Sequence, residues 1–337
     1  MRKPFCCNSD SITYQPARAI NRSQQSKMYE PSTGEQILRD AFIFILMFFI
    51  VVGNTLIIAA FVKNMRLRTS ANVFIVGLAL SDWLVGAIAV PLYVVTLRRD
   101  SSGTLLTRFY MSLDIFSGTA SVFHLVSVTV ERYIAISKPF LHRRLSVGFY
   151  YCVLGVVWVL SLFLSCIDFA LTPSVSGKYP FYVLLTVFFL ALLVISLLNV
   201  LIFKIARSLV RNTVEPAVDQ GVTRASFRRK IRRERRTAMT LAMFCCTFFV
   251  TWLPHVIGVL VFTFCFPCHL APVNIGRVGA FVKCMQYSNS AFNPFLFAFH
   301  DAEMRKTIMS LVSSCWNSVQ PYVTFRSSIA TTPTLTS

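Results

Sequence analysis

The chain has 337 residues, of which 55% are hydrophobic and only 14% charged, yet its formal net charge is +19. Soluble globular domains carry about 25% charged residues, so the composition excludes an ordinary soluble enzyme and a disordered chain. A basic soluble protein would point to nucleic acid and an apolar one to a bilayer, and the position of the charges along the chain decides between them.

Taken in chain order, apolar stretches run over Ile37–Val62, Ala71–Leu97, Leu105–Ser137, Val147–Leu171, Pro180–Leu209, Arg236–Cys265 and Val273–Phe299. Crossing about 30 Å of hydrocarbon at about 1.5 Å per residue takes about 20 residues. Every stretch is long enough, so an all-α membrane protein with seven transmembrane helices is expected. Phe42–Ala60 and Tyr182–Phe203 hold no charge at all, which a soluble helical bundle would not tolerate. The organisation is then a 1–36 extracellular segment, a 37–299 helical bundle and a 300–337 cytoplasmic tail.

The loops set the orientation. Lys63, Arg66 and Arg68, then Lys138, Arg143 and Arg144, then the eleven Lys and Arg of Lys204–Arg236, and finally Arg305 and Lys306 all fall on one side. Excess Lys and Arg marks the cytoplasm, which places the N-terminus outside a plasma membrane. Asn21-Arg22-Ser23 on the outer side is a glycosylation sequon at Asn21. No cleavable leader is expected from the first residues, and the first stretch is expected to act as the signal-anchor. The Arg-rich run Phe227–Arg236 abuts a membrane helix without interleaved aromatics, so inner-leaflet headgroups rather than nucleic acid are its expected partner.

Polar residues at membrane depth are costly and usually functional. The second stretch carries Asp82, and the third carries Asp114, Glu131 and Arg132. Asp114 and Arg132 are 18 residues apart, which is five helical turns, so they share one face at opposite ends of the span. Gly118, Ser121 and Leu125 fall close to that face. In the sixth stretch Glu234 and Trp252 bear the same 18-residue relation, and Pro254 provides a kink. In the seventh, Asn289 and Asn293 lie one turn apart before Pro294. His124 and His142 stand isolated, no catalytic or metal-ligand spacing appears, and broken half-helices of the transporter kind are absent from the pattern, so neither an enzyme nor a channel is expected.

These landmarks resemble, in order and over nearly the whole chain, a rhodopsin-like (class A) G-protein-coupled receptor. The matching residues are Gly53-Asn54, Leu78-Ala79-Leu80-Ser81-Asp82, Glu131-Arg132-Tyr133 with Pro139, Trp158, Phe248 with Thr251-Trp252-Leu253-Pro254, and Asn289 through Phe297 with Asn293-Pro294. The resemblance implies a small extracellular ligand, a heterotrimeric G protein and arrestin as partners. It implies that Arg132 pairs at rest with Glu131 and Glu234, that the sixth helix swings out about Pro254, and that Tyr133, Asn293, Pro294 and Phe297 belong to the same switch. Asp82, Ser121, Asn289, Ser290 and Asn293 match the family's sodium pocket, so a sodium ion is an expected allosteric ligand. His300–Val312 resembles a short amphipathic eighth helix, with Cys315 beyond it as a palmitoylation site.

Within the family the pocket residues are nearest to aminergic receptors. Asp114 and Tyr287 match the pair that holds a protonated amine, Trp252, Phe248 and His255 would form an aromatic floor and wall, and Gly118 and Tyr93 join the lining. Lys283, one turn from Tyr287, is able to neutralise Asp114 or to bind a carboxylate. Val183, Leu184 and Val187 replace the serines that hold a catechol. A peptide, lipid, acidic or zwitterionic ligand therefore stands as the alternative. Ala191, Asn199 and Phe297 depart from the family's proline and tyrosines, which suggests altered or weak coupling as a further alternative. The usual disulfide from the third helix is ruled out, because Thr107 stands at its position and Thr172–Tyr182 holds no cysteine. An intraloop bridge is expected between Cys265 and Cys268, with metal or redox chemistry as the lesser alternative. Cys6 and Cys7 are open to pair with either or to stay free.

Overall fold

The computed structural model describes residues 32–98, 104–170, 179–214, 243–244, 246–261 and 272–330. Among them the ordered elements are helices, in agreement with the expected all-α membrane bundle. The first helix, Thr33–Lys63, starts at Ser32, whose hydroxyl accepts the Glu35 N–H and satisfies one orphan donor of the first turn. The second runs over Ser70–Leu84, passes through a π turn at Val85–Ala89 and continues as Val90–Arg98. Pro91 has no N–H to give, and the wider turn before it, closed by Val90 N–H donating to the Val85 carbonyl, absorbs that loss.

The third helix, Leu105–Ser137, has the bounds read from the sequence. Thr104 caps its start, and a short helix, Pro139–Arg144, follows it. The fourth and fifth helices are Val147–Ala170 and Tyr179–Val214. Of the sixth, Cys246–Val261 is described, and the seventh is Pro272–His300 with Pro294 inside it. The last helix, Ala302–Ala330, corrects an expectation. It is 29 residues long and does not stop near Val312. Asp301 Oδ1 accepts the N–H groups of Glu303 and Met304, Met304 is buried, and no glycine interrupts the run.

Five described helices, the first through the fifth, are long and apolar enough to cross a membrane. Their burial differs in an informative way. In the most apolar window of the second helix 67% is buried, against 22% in the fourth and fifth. The second and third helices are therefore central, while the fourth and fifth turn Phe163, Phe189, Leu193 and Leu197 outward to lipid. The seventh helix falls short on composition because one face is polar, and that face (Gln286, Ser290, Asn293) is buried in the bundle.

Two apolar clusters fill the interior. One joins Leu78, Leu125, Phe188, Phe244, Phe248, Trp252 and Phe297, and the other joins Ile43, Ile50, Tyr93, Tyr110 and Tyr287. Close helix approach is set by glycine at Gly77, where a Cβ would fall 2.4 Å from His124 Nε2. The buried imidazole packs edge-on against Trp158 at 5.2 Å, and its Nδ1 bonds the Ala120 carbonyl.

Candidate functional site

A cavity of about 460 Å³, including its mouth, opens between the third, fifth, sixth and seventh helices. The third helix presents Asp114, Ile115, Gly118 and Thr119, the fifth Val183, Val187 and Phe188, the sixth Trp252 and His255, and the seventh Gln286. Its floor is aromatic. Phe188 stacks on Phe248 at 5.3 Å, and Trp252 lies 5.7 Å from Phe248 and 6.0 Å from His255. Gly118 lets the indole rest against the third helix, since a Cβ there would stand 3.1 Å from Trp252 Cη2.

The Asp114 carboxylate, at the edge of this cavity, is already engaged. Lys283 Nζ donates to Oδ2 at 2.7 Å, and the same ammonium donates to Gln286 Oε1 at 3.0 Å. The two charged side chains are 16% and 19% exposed, so the pair is largely screened from water. Tyr287 turns elsewhere. Its hydroxyl shares a 2.9 Å hydrogen bond with Tyr110, and Tyr93 packs on both rings at 5.8 Å. Of the expected pocket residues, the structure thus gathers Asp114, Gly118, Val183, Trp252 and His255 around the cavity, and Asp114 holds Lys283 beside it. Phe248 lies beneath, and Tyr93 and Tyr287 join Tyr110 in an aromatic cluster, from which Tyr287 also lines the smaller cavity.

A smaller cavity lies directly below, lined by Asp114, Ser117, Ser121, Trp252, Asn289 and Ser290 among others. It leads to Asp82. Asp82 Oδ1 accepts Ser121 and Ser290 hydroxyls at 2.7 and 2.8 Å, and Oδ2 accepts Asn293 Nδ2 at 2.7 Å. Asn289 is not among the hydrogen-bond donors to Asp82; its Oδ1 accepts Thr251 Oγ1 at 3.3 Å and ties the sixth helix to the seventh. Asn54 Nδ2 donates to the Ser290 carbonyl at 3.3 Å. Asp82 is fully buried, and among the described residues no basic side chain bonds it. An uncompensated carboxylate in such a place requires a proton or a cation. The set of one carboxylate, two hydroxyls and nearby amide oxygens suits a hard cation.

At the cytoplasmic end, Arg132 Nε stands 3.6 Å from Glu131 Oε2, while His142 Nε2 donates to Glu131 Oε1 at 2.8 Å. Glu234, expected to pair with Arg132, lies outside the described residues, as do Asn21, Cys6, Cys7, Cys265 and Cys268. Phe297 packs on Phe244 at 4.8 Å, Tyr133 is half-buried, and both polar atoms of Asn199 are buried with no partner among the described residues. Cys315 is exposed and free on the last helix.

Four groups escaped the sequence reading. Gln286 follows Lys283 by three residues, which places it on the same helix face. Tyr110 stands one turn above Asp114. His142 reaches Glu131 from the short helix beyond the turn at Lys138. Asp168 sits in the last turn of the fourth helix, where its Oδ2 accepts Ser112 Oγ at 2.8 Å and Ser165 Oγ donates to the Ser112 carbonyl at 2.6 Å. Its charge was the available signal, since acids are rare in membrane helices.

Comparison with known proteins agrees with this architecture. Residues 53–297 match the family model described as 7 transmembrane receptor (rhodopsin family). The chain is 28% identical over 313 residues to a D(1)-like dopamine receptor of Oreochromis mossambicus, covering 82% of this chain and 80% of that one. It is 35% identical over 123 residues to the human (Homo sapiens) histamine H4 receptor, 36% of this chain and 32% of the relative. It is 33% identical over 132 residues to the 5-hydroxytryptamine receptor 2B of Dichotomyctere fluviatilis, 38% of this chain and 27% of the relative. In the last two matches the chain spans a third or less of the relative's length. The ordered membrane landmarks, the helical bundle and the family match together establish that this chain is a multi-pass membrane protein belonging to the rhodopsin family of seven-transmembrane receptors.

Proposed function

We propose that the protein carries the signal of a small, amine-like extracellular ligand to heterotrimeric G proteins at the plasma membrane, with 1–36 outside, 300–337 inside and arrestin as a further cytoplasmic partner. The observation that carries this reading is the Asp114 carboxylate at the edge of an apolar, aromatic-floored cavity. A carboxylate in a partly dry pocket favours a cationic partner, and the similarity to dopamine, histamine and serotonin receptors supports the same chemistry.

The path from pocket to cytoplasm follows contacts between packed side chains. A ligand in the cavity presses on Trp252, which rests on Gly118 and Phe248. Motion of the indole moves the sixth helix about Pro254 and loads the Thr251–Asn289 bond. The Phe244–Phe297 contact lies on the same route toward the cytoplasm. Arg132, released from Glu131, then meets the G protein. The ligand acts only through its preference for one of the two states. Sodium at Asp82, Ser121 and Ser290 would supply the missing positive charge and favour the state in which these groups converge. Asn199 and Phe297, which lack the phenol hydroxyls usual at their positions, favour a receptor with weakened active-state contacts. Palmitoylation at Cys315 would pin the last helix to the inner leaflet.

The test is nucleotide exchange on purified G proteins of several subtypes, driven by the full chain and a panel of biogenic amines and amino acids. One or more of these compounds is expected to stimulate exchange. Val187→Trp, which fills the cavity from the fifth helix and leaves Asp114 in the chain, is expected to remove that response. Silence to the whole panel, or a response indifferent to Val187→Trp, counts against the reading.

A further inference from the structure

The Lys283–Asp114 pair narrows the ligand class. A simple monoamine that takes Asp114 must evict Lys283 Nζ from a 2.7 Å contact. The ammonium would keep only Gln286 Oε1 and the faces of Tyr110 and Tyr287, whose centroids lie 5.7 and 5.9 Å away. Among the described residues no second carboxylate reaches it. Breaking a largely buried ion pair by removing one partner is strongly unfavourable, because the other charge is left uncompensated. An acid that took Lys283 would strand Asp114 in the same way. The pocket is neutral as it stands, and a ligand that is also neutral overall but carries both charges exchanges one pair for two.

We infer that the ligand is a zwitterion with adjacent ammonium and carboxylate groups, namely an aromatic α-amino acid. Its ammonium meets Asp114, its carboxylate meets Lys283, and its ring enters the space bounded by Val122, Val183, Val187 and Phe188 above Trp252. This inference rests on the reading of Asp114 as the ligand's anchor. Gln286 assists, because its side chain bonds both members of the resting pair, with Nε2 at 3.4 Å from Asp114 Oδ1. It is placed to follow either charge as the pair opens. Lys283 is the cation that Asp114 already holds at the cavity's edge, so it sets the selectivity for an α-carboxylate.

The experiment compares three probes of one skeleton: phenylalanine, phenethylamine, which lacks the carboxylate, and phenylpropanoate, which lacks the ammonium. Binding is read as the thermal shift of the purified full-length receptor, so no G protein is needed. Phenylalanine is expected to bind at least about tenfold more tightly than either truncated probe. In Lys283→Met the order reverses, with phenethylamine gaining and phenylalanine losing by similar factors. The wild-type ranking stands as a test even if that variant does not fold. Phenethylamine leading in the wild type and lost in Asp114→Asn overturns the zwitterion and leaves the anchor at Asp114 intact. Phenylpropanoate leading, and lost only in Lys283→Met, overturns both. No shift with any of the three at the limit of solubility overturns the assignment of an aromatic amino acid.

Discussion

Lys283 of the seventh helix donates to Asp114 of the third across 2.7 Å, at the edge of the cavity that a ligand must enter. The contact staples two helices whose relative position the ligand is expected to alter. Its energetic weight follows from burial, since both side chains are less than a fifth exposed. Asp114→Asn and Lys283→Met should each destabilise the ligand-free receptor by about 1–3 kcal/mol, and the double variant should recover most of the loss. Thermal unfolding of the four proteins in one detergent checks this. Additive losses would show that the pair carries no coupling.

Asp82 raises a different charge question, because three neutral donors converge on it and, among the described residues, no basic side chain bonds it. If sodium supplies the charge, the melting temperature should be higher in sodium chloride than in choline chloride of equal ionic strength. Asp82→Asn should abolish the difference while folding normally, since an amide needs no counter-ion. Equal melting in both salts would leave the network as hydrogen bonds alone.

Glu131 is shared between His142 at 2.8 Å and Arg132 at 3.6 Å. The shorter contact draws the carboxylate away from the arginine. Removing the imidazole with His142→Ala should let Glu131 close onto Arg132 and lower agonist-free nucleotide exchange by about two- to fivefold, the scale of a partly exposed ion pair. Basal exchange measured at matched surface expression decides; a rise would place His142 in the resting lock instead.

The Gly77–His124 contact gives a packing test away from both pockets. Gly77→Ala places a Cβ 2.4 Å from a rigid, fully buried ring. A loss of about 1–3 kcal/mol is expected from overpacking. Gly77→Ala combined with His124→Ala should regain a good part of it, because the rigid obstruction is gone and the other close atom, Leu154 Cδ1, is the end of a flexible side chain. Thermal denaturation with no recovery in the double variant would assign the effect to the backbone.

How much of this was legible in the sequence depends on which force decides each feature. The third helix, Leu105–Ser137, was read with both ends correct, because Thr104 caps it and Pro139 follows it. The Asp82 site was visible because membrane burial leaves few reasons for an acid at that depth. The π turn at Val85–Ala89 was not visible, since it depends on how Pro91 is accommodated against the first helix. The last helix ran past its expected end: Ser313–Ala330 holds no glycine stop, and Pro321, which argues for an earlier end, lies inside the helix. At the pocket, sequence put Asp114 and Lys283 within reach of each other, but whether they touch is a matter of rotamers. Tyr287 makes the same point, turned to Tyr110 by a neighbour one turn above Asp114. His142 was passed over as isolated because its partner lies across a turn of the chain.

Asp114 is the proposed anchor for a ligand's positive charge, on which the pocket's function turns. The direct measurement is the concentration dependence of ligand-stimulated nucleotide exchange in the wild type and in Asp114→Asn, at equal surface expression and with the most potent agonist found. Loss of a charge-assisted hydrogen bond in a screened site predicts a potency drop of about tenfold to a hundredfold. Unchanged potency in Asp114→Asn would contradict it.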